Sequence, residues 1–153
     1  NVLALGDDAR SDIRNAEFGF VFQSTQLIGS LTVLENVLVP ALLRGERTAE
    51  RRARAILENM GLKERIHYYP HQLSIGQQRR ASIARALILE PRIVFADEPT
   101  NDLDREHASI VGDILFGLPK AGAALVLVTH DDSLAGRADK VCVLEKGKLQ
   151  EVS

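Results

Sequence analysis

Short apolar runs recur through the second half of this chain, at 93–96, 124–130 and 139–145, each bounded by Pro, Gly or charged residues. All three predict strands, and the unbroken apolar run 93–96 predicts one buried on both faces. Stretches of helical period separate them, one over about 104–116 and a short one after Asp131. "EKGK" then turns the chain into a last strand, 148–152. Strands alternating with helices predict a mostly parallel sheet in an α/β fold. Further upstream, "FGFVFQ" (18–23) is aromatic and β-branched and predicts one more strand, ending at Gln23. Residues 1–16 carry little periodic signal.

The middle of the chain, roughly 25–90, reads as purely helical and as a subdomain inserted into that sheet. Thr32 with Glu35 forms a capping box. Leu34, Val37, Leu38, Ala41 and Leu42 then share one helical face, with Pro40 expected to interrupt or kink it. The next helix begins near Thr48, carries Ala49, Ala53, Ile56, Leu57 and Met60 as its apolar stripe, and closes at Gly61. Its arginines read as a solvated face with Glu50 and Arg54 paired one turn apart. Ser74 with Gln77 makes a second capping box, Ala81, Ala84, Leu87 and Ile88 form the buried stripe, and Pro91 stops the helix.

Composition narrows the function classes. The 19 Lys and Arg against 21 Asp and Glu leave a formal charge of −2, so no bulk electrostatic case for nucleic acid exists. No apolar run approaches the ~20 residues needed to cross a bilayer. The single cysteine, Cys142, excludes an internal disulfide framework and reads as a strand residue between Val141 and Val143. His67, His71 and His107 form no metal-ligand spacing with it and read as surface residues. Tyr68 and Tyr69 read as packing residues.

Parallel sheets place ligands beyond the carboxyl ends of their strands. Three polar groups fall at such ends: Gln23, the pair Asp97 and Glu98, and His130. Singly, each has an ordinary explanation as a solvated end, a turn or a satisfied histidine. Together, at one sheet edge, they suit phosphoryl transfer. Asp97 can hold Mg²⁺ directly or through water, as a hard cation prefers carboxylate oxygen. Glu98 can orient and polarise an attacking water, and His130 can hydrogen-bond the γ-phosphate. Ser74 and Gly76 precede a helix whose N-terminal amides favour an anion; the same two residues also serve as cap and turn.

These motifs resemble, in order, those of the nucleotide-binding domain of ABC transporters. "FVFQ" is similar to the Q-loop, "LSIGQQRRASIARAL" to the family signature and its helix, "RIVFADEPT" to Walker B, "NDLD" to the D-loop and "VTHD" to the H-loop. "GFVFQSTQLIGSLTVLENVLVPALLRGE" and "FADEPTNDLD" look most similar to the ATPases of the lipoprotein-release and macrolide-export group. The resemblance implies a P-loop NTPase (RecA-like) core with an inserted helical subdomain. It implies ATP and Mg²⁺ as cofactors, Glu98 and His130 as catalytic residues, and Gln23, Ser74, Gly76, Gln77 and Asp104 as nucleotide-binding residues. Asp97 and Gln23 are the implied metal ligands. It also implies a membrane permease as partner, docking near 27–40, and a head-to-tail homodimer with ATP between one phosphate loop and the other subunit's Ser74–Gly76. The expected location is cytoplasmic, peripheral to the inner face of the membrane. The corresponding division is 1–24, 25–90 and 91–153.

One part of that pattern is not in this sequence. A phosphate-cradling G-x-x-x-x-G-K-[ST] loop (Walker A) is absent: Leu118 and Pro119 follow the pair Gly112 and Gly117, and Ala123 and Ala124 follow Gly117 and Gly122. The chain also opens on Asn1. The expectation is a C-terminal portion of the domain, without the Walker A strand and helix, inactive alone and prone to self-association through open strand edges. Within the retained motifs, Ile75 stands where the signature usually has its first Gly, and Asp102 adds a charge to the D-loop. A non-catalytic module that binds a permease or a homologous subunit is the alternative. A DNA-acting relative fits less well, because only about fifty residues separate Gln23 from Ser74, with no sustained heptads.

Overall fold

The computed structural model describes residues 5–152. Its order is α1 (Asp7–Glu17), β1 (Phe18–Val21), α2 (Val33–Leu43), α3 (Glu50–Asn59), α4 (Ile75–Leu87), β2 (Ile93–Asp97), α5 (Arg105–Gly117), β3 (Ala124–Val128), α6 (Asp132–Ala135), β4 (Cys142–Glu145) and β5 (Lys148–Glu151). β1, β2 and β3 form a parallel sheet in that order, Phe20 opposite Phe95 and Phe95 opposite Val126. A parallel sheet flanked by helices, with a helical segment between β1 and β2, is the α/β architecture expected from the sequence.

Side-chain alternation splits this sheet into two unlike faces. Gly19, Val21, Val94 and Ala96 are buried on one side, where α4 packs against β1. Gly19 permits that approach, since a Cβ there would lie 2.7 Å from the Ala86 carbonyl oxygen and 3.0 Å from the Pro91 ring. The opposite side carries Phe18, Phe20 and Phe95 with centroids 5.5–6.4 Å apart, followed by Phe22. There Phe20, Phe22, Val126 and Val128 remain 39–58% exposed.

The helical middle closes around its own core. Val33, Val37, Ala41, Ala53, Leu57, Leu62, Ile83 and Ile88 are fully buried. Both expected capping boxes form, Thr32 with Glu35 and Ser74 with Gln77. The first amides of α2 find carbonyls outside the helix, Val33 N–H donating to Tyr68 and Leu34 N–H to Ile66. Buried Asn36 holds the preceding loop, accepting from the Ile28 amide and donating to the Ile28, Leu31 and Thr32 carbonyls. The Glu50–Arg54 pair forms at 2.6 Å, and Gly61 adopts φ +67 just past α3.

Several expectations need correction. Residues 7–17 are helical, because acidic Asp7 and Asp8 at the start and Arg14 at the end suit the helix dipole despite the weak apolar stripe. Helix α2 runs through Pro40: near its C-terminal end the ring removes a single hydrogen bond, which the packed helix tolerates. Leu42 lies outside the stripe, 56% exposed. Residues 22–32 are irregular rather than helical. β1 stops at Val21, and β3 and β4 are shorter than their apolar runs. β4 and β5 form a hairpin of their own, joined through Lys146 and Gly147, and every residue of both strands is exposed.

Candidate functional site

Parallel pairing brings the carboxyl ends of β1, β2 and β3 to one edge, and Gln23, Asp97, Glu98 and His130 all lie there. Glu98 follows β2 directly. Its amide donates to the Val128 carbonyl (2.9 Å), extending the ladder by one bond, while φ of +44 places it in the left-handed region. A non-glycine residue held there is strained and turns sharply out of the strand. Its carboxylate meets the His130 Nδ1 at 2.9 Å and accepts from the Thr129 hydroxyl at 3.5 Å. The hydrogen bond the ring donates to Glu98, and then the carboxylate's charge, raise the His130 pKa above the ordinary value. Glu98 is mostly shielded, its side chain 20% exposed, whereas His130 is open to solvent at 76%.

Asp97, the last residue of β2, is exposed and shares a cleft of about 420 Å³ with Phe22, Gln23, Ser24, Gln26 and Asp102. Among the described residues no group of three or more His, Cys, Asp or Glu could hold a metal by itself. One carboxylate and one amide oxygen facing an open cleft do fit Mg²⁺, which keeps several waters and shares phosphate oxygens.

The signature segment forms a second cluster. Ser74 accepts from the Gln77 amide (3.3 Å), and the Gln77 side-chain oxygen accepts from the Ser74 amide (3.1 Å). That oxygen of Gln77 therefore serves the cap. Gly76 is buried, and Ile75 projects 56% exposed. Asp104 caps α5 by accepting from the His107 amide (2.9 Å), and both its oxygens lie 2.8 Å from the His107 Nδ1. The His107 amide bond, followed by the ring bond, lowers the Asp104 pKa. Among the described residues no hydrogen bond joins Ser74, Gly76 or Gln77 to Glu98 or His130.

Arg79 links the two clusters. It is 2% exposed, donates to the Phe22 carbonyl at 2.7 Å and to the Asn101 carbonyl at 3.4 Å, and so ties the segment before Gln23 to the turn before Asp104. Burial lowers its pKa against an opposing pull from Asp102. Arg85 similarly holds the carbonyls of Thr25 and Gln26. Neither arginine is among the residues expected at the site. The available signal was periodicity: Arg79 stands three residues after buried Gly76 and four before buried Ile83, on the inward face. His107, expected at the surface, is instead half-buried against α4.

A profile of the ABC transporter family matches residues 2–101. The chain is 48% identical over 150 residues to an uncharacterized ABC transporter ATP-binding protein, YbbA, of Escherichia coli, covering 96% of this chain and 66% of that protein. It is 45% identical over 148 residues to the lipoprotein-releasing system ATP-binding protein LolD of Legionella pneumophila, covering 95% and 65%. It spans about two thirds of the length of the curated relatives it matches. Its structure superposes on a dimeric post-hydrolysis state of the ATP-binding cassette MJ0796 bound to ADP and Pi with a TM-score of 0.82, at 33% identity, covering 97% of this chain and 68% of that one.

Proposed function

This chain belongs to the ABC transporter family, and on that premise we propose that it supplies the hydrolytic edge and the signature turn of an ATP-binding subunit. One observation carries the reading. Glu98, forced out of β2 at a left-handed φ, presents its carboxylate to His130 beside the cleft lined by Asp97 and Gln23. In this reading Glu98 takes a proton from the attacking water, and His130 keeps water and γ-phosphate aligned. Asp97 and Gln23 hold Mg²⁺, whose charge offsets the phosphates when bound. Ser74, Gly76, Gln77 and Asp104 face the nucleotide of a second subunit.

The parts implied are 1–24, 25–90 and 91–153, with the helical part coupling nucleotide-driven closure to a permease on the cytoplasmic side of the membrane. No helix among the described residues is long and apolar enough to cross a membrane. Relatives named for lipoprotein release support an export or lipid-handling role. The alternative of a non-catalytic module draws on the missing phosphate loop in these 153 residues and on exposed Ile75.

A chimera carrying the N-terminal third of a LolD relative ahead of this chain tests the proposal. It should release phosphate from ATP, while the chain alone stays at background. Glu98→Gln should slow the chimera by about 10²-fold or more, the loss expected for a general base. A chimera that binds ATP and hydrolyses it equally well with Gln at 98 would rule out this role for Glu98.

A further inference from the structure

Two helix starts meet at a single ring. Gly76 is the second residue of α4 and His107 the third of α5. A Cβ built on Gly76 would lie 2.9 Å from the His107 Cγ and 3.3 Å from its Cβ, and would overlap Cδ2 outright. The ring cannot easily swing aside, because Nδ1 sits 2.8 Å from both oxygens of Asp104. With a carboxylate as acceptor, Nδ1 carries the proton in either charge state. Gly76 has ordinary negative φ, so backbone conformation does not demand glycine there. The His107 ring does.

We propose that His107 is a positioning residue: pinned by Asp104, its ring is the wall that sets the spacing between the Ser74–Gly76 turn and the 101–104 turn. Its importance for hydrolysis rests on the reading above, in which both turns face one nucleotide of a second subunit. The contact itself stands independently. A residue that only capped α5 would not touch α4. His107 fixes α5 through Asp104 and α4 through Gly76, so its loss lets the two turns move apart while each helix survives.

The test is a double-mutant cycle with two readouts. Alanine is the better helix former, so Gly76→Ala should be neutral or favourable wherever space allows. In the wild-type background, overpacking against the ring should instead lower the folding equilibrium constant by roughly tenfold or more. In the His107→Ala background the penalty should vanish or change sign. An equal penalty in both backgrounds overturns the contact.

The second readout pairs this chain with an intact family subunit that has a phosphate loop but whose own signature serine is replaced, and follows phosphate release from ATP. The wild-type chain should stimulate release. His107→Ala should cut kcat by about tenfold with KM for ATP little changed, since an ångström of misplacement costs up to about 10²-fold. Gly76→Ala should abolish stimulation, and adding His107→Ala should restore it to the single-variant level. Full stimulation by His107→Ala overturns the positioning role. Absence of stimulation by the wild-type chain overturns the proposed function instead, and the folding cycle then decides the contact.

Discussion

The helical middle and the outer face of the sheet carry similar apolar side chains and treat them in opposite ways. Around α2, α3 and α4, Leu57, Leu62, Ile83, Ile88, Val33 and Val37 are fully buried. On the outer face Phe20, Phe22, Val126 and Val128 are open, and in the hairpin Leu144 and Leu149 are about 70% exposed. Parallel strands demand cover on both sides. The residues for a second layer are present, and no described helix provides it. An apolar pattern thus specifies a demand for burial, and only packing elements decide whether the demand is met. The catalytic candidates sit where it is unmet, at the edge shared by the open face; the signature turn sits where it is met.

The sharpest way to break this comparison is to delete one side chain from each region. Leu57→Ala should destabilise the chain by about 2–5 kcal/mol, the cost of a cavity in a closed core. Val128→Thr, 58% exposed in the wild type, should change stability by less than about 0.5 kcal/mol. Urea unfolding at low protein concentration measures both. A large cost at Val128 would mean that the outer face is covered in solution. Cover by a second copy would appear as a concentration-dependent midpoint that Val128→Lys removes.

Arg79 belongs to both regions, since it leaves a buried helix to bind two turns at the open edge. Arg79→Ala should cost about 2 kcal/mol, as it leaves two part-buried carbonyls without their donor and deletes a packed stem. Hydrogen exchange sharpens the point. Amides near Gln23 and Asp102 should exchange faster while those of α3 hold. Uniform loss of protection would make Arg79 a general core residue rather than a tie between turns.

How much of this was legible follows the same division. Capping boxes, stripes and strand runs are local and periodic, so Thr32, Ser74, Ala53, Leu57, Ala81 and Ala84 stand where their spacing places them. The edge grouping of Gln23, Asp97, Glu98 and His130 was legible because parallel strands share an end. Long-range polar contacts were not. Nothing local announces that Arg79 reaches the Phe22 carbonyl 57 positions away, or that Gly76 meets His107. Asn36 sits inside an apolar helix, and nothing local announces that its side chain donates to the Ile28, Leu31 and Thr32 carbonyls of the preceding loop. The hairpin itself was legible from "EKGK", but its separation from the parallel sheet was not, because alternation sets a strand's faces but not its neighbours.

A smaller effect is expected at the boundary of the signature turn. Ser74→Ala removes a cap from α4, together with the geometry that lets Gln77 answer it, and should cost about 1 kcal/mol. Ser74→Asp keeps an acceptor at the cap and should recover most of that in urea unfolding. If both variants are silent, packing of Gly76 and Arg79 alone holds the start of α4, and the closed region depends less on its caps than its geometry indicates.

The smallest effect lies at the open edge and is a matter of pH. Glu98 raises the His130 pKa above its ordinary 6.5, so the folded state binds this proton more tightly than the unfolded chain. The stability gained is therefore fully present below pH 6.5 and disappears as pH rises through the raised folded value. His130 is solvent-exposed, so the contribution is small and should shrink further with salt. NMR titration of the ring should give a pKa above the ordinary value that falls back in Glu98→Gln. Glu98→Gln should also flatten the stability difference between pH 6 and pH 8. An ordinary His130 pKa in the wild type would mean that the 2.9 Å pair does not persist in solution. The open edge would then need a bound ligand to assemble, unlike the signature turn, whose caps and ring contact are already made.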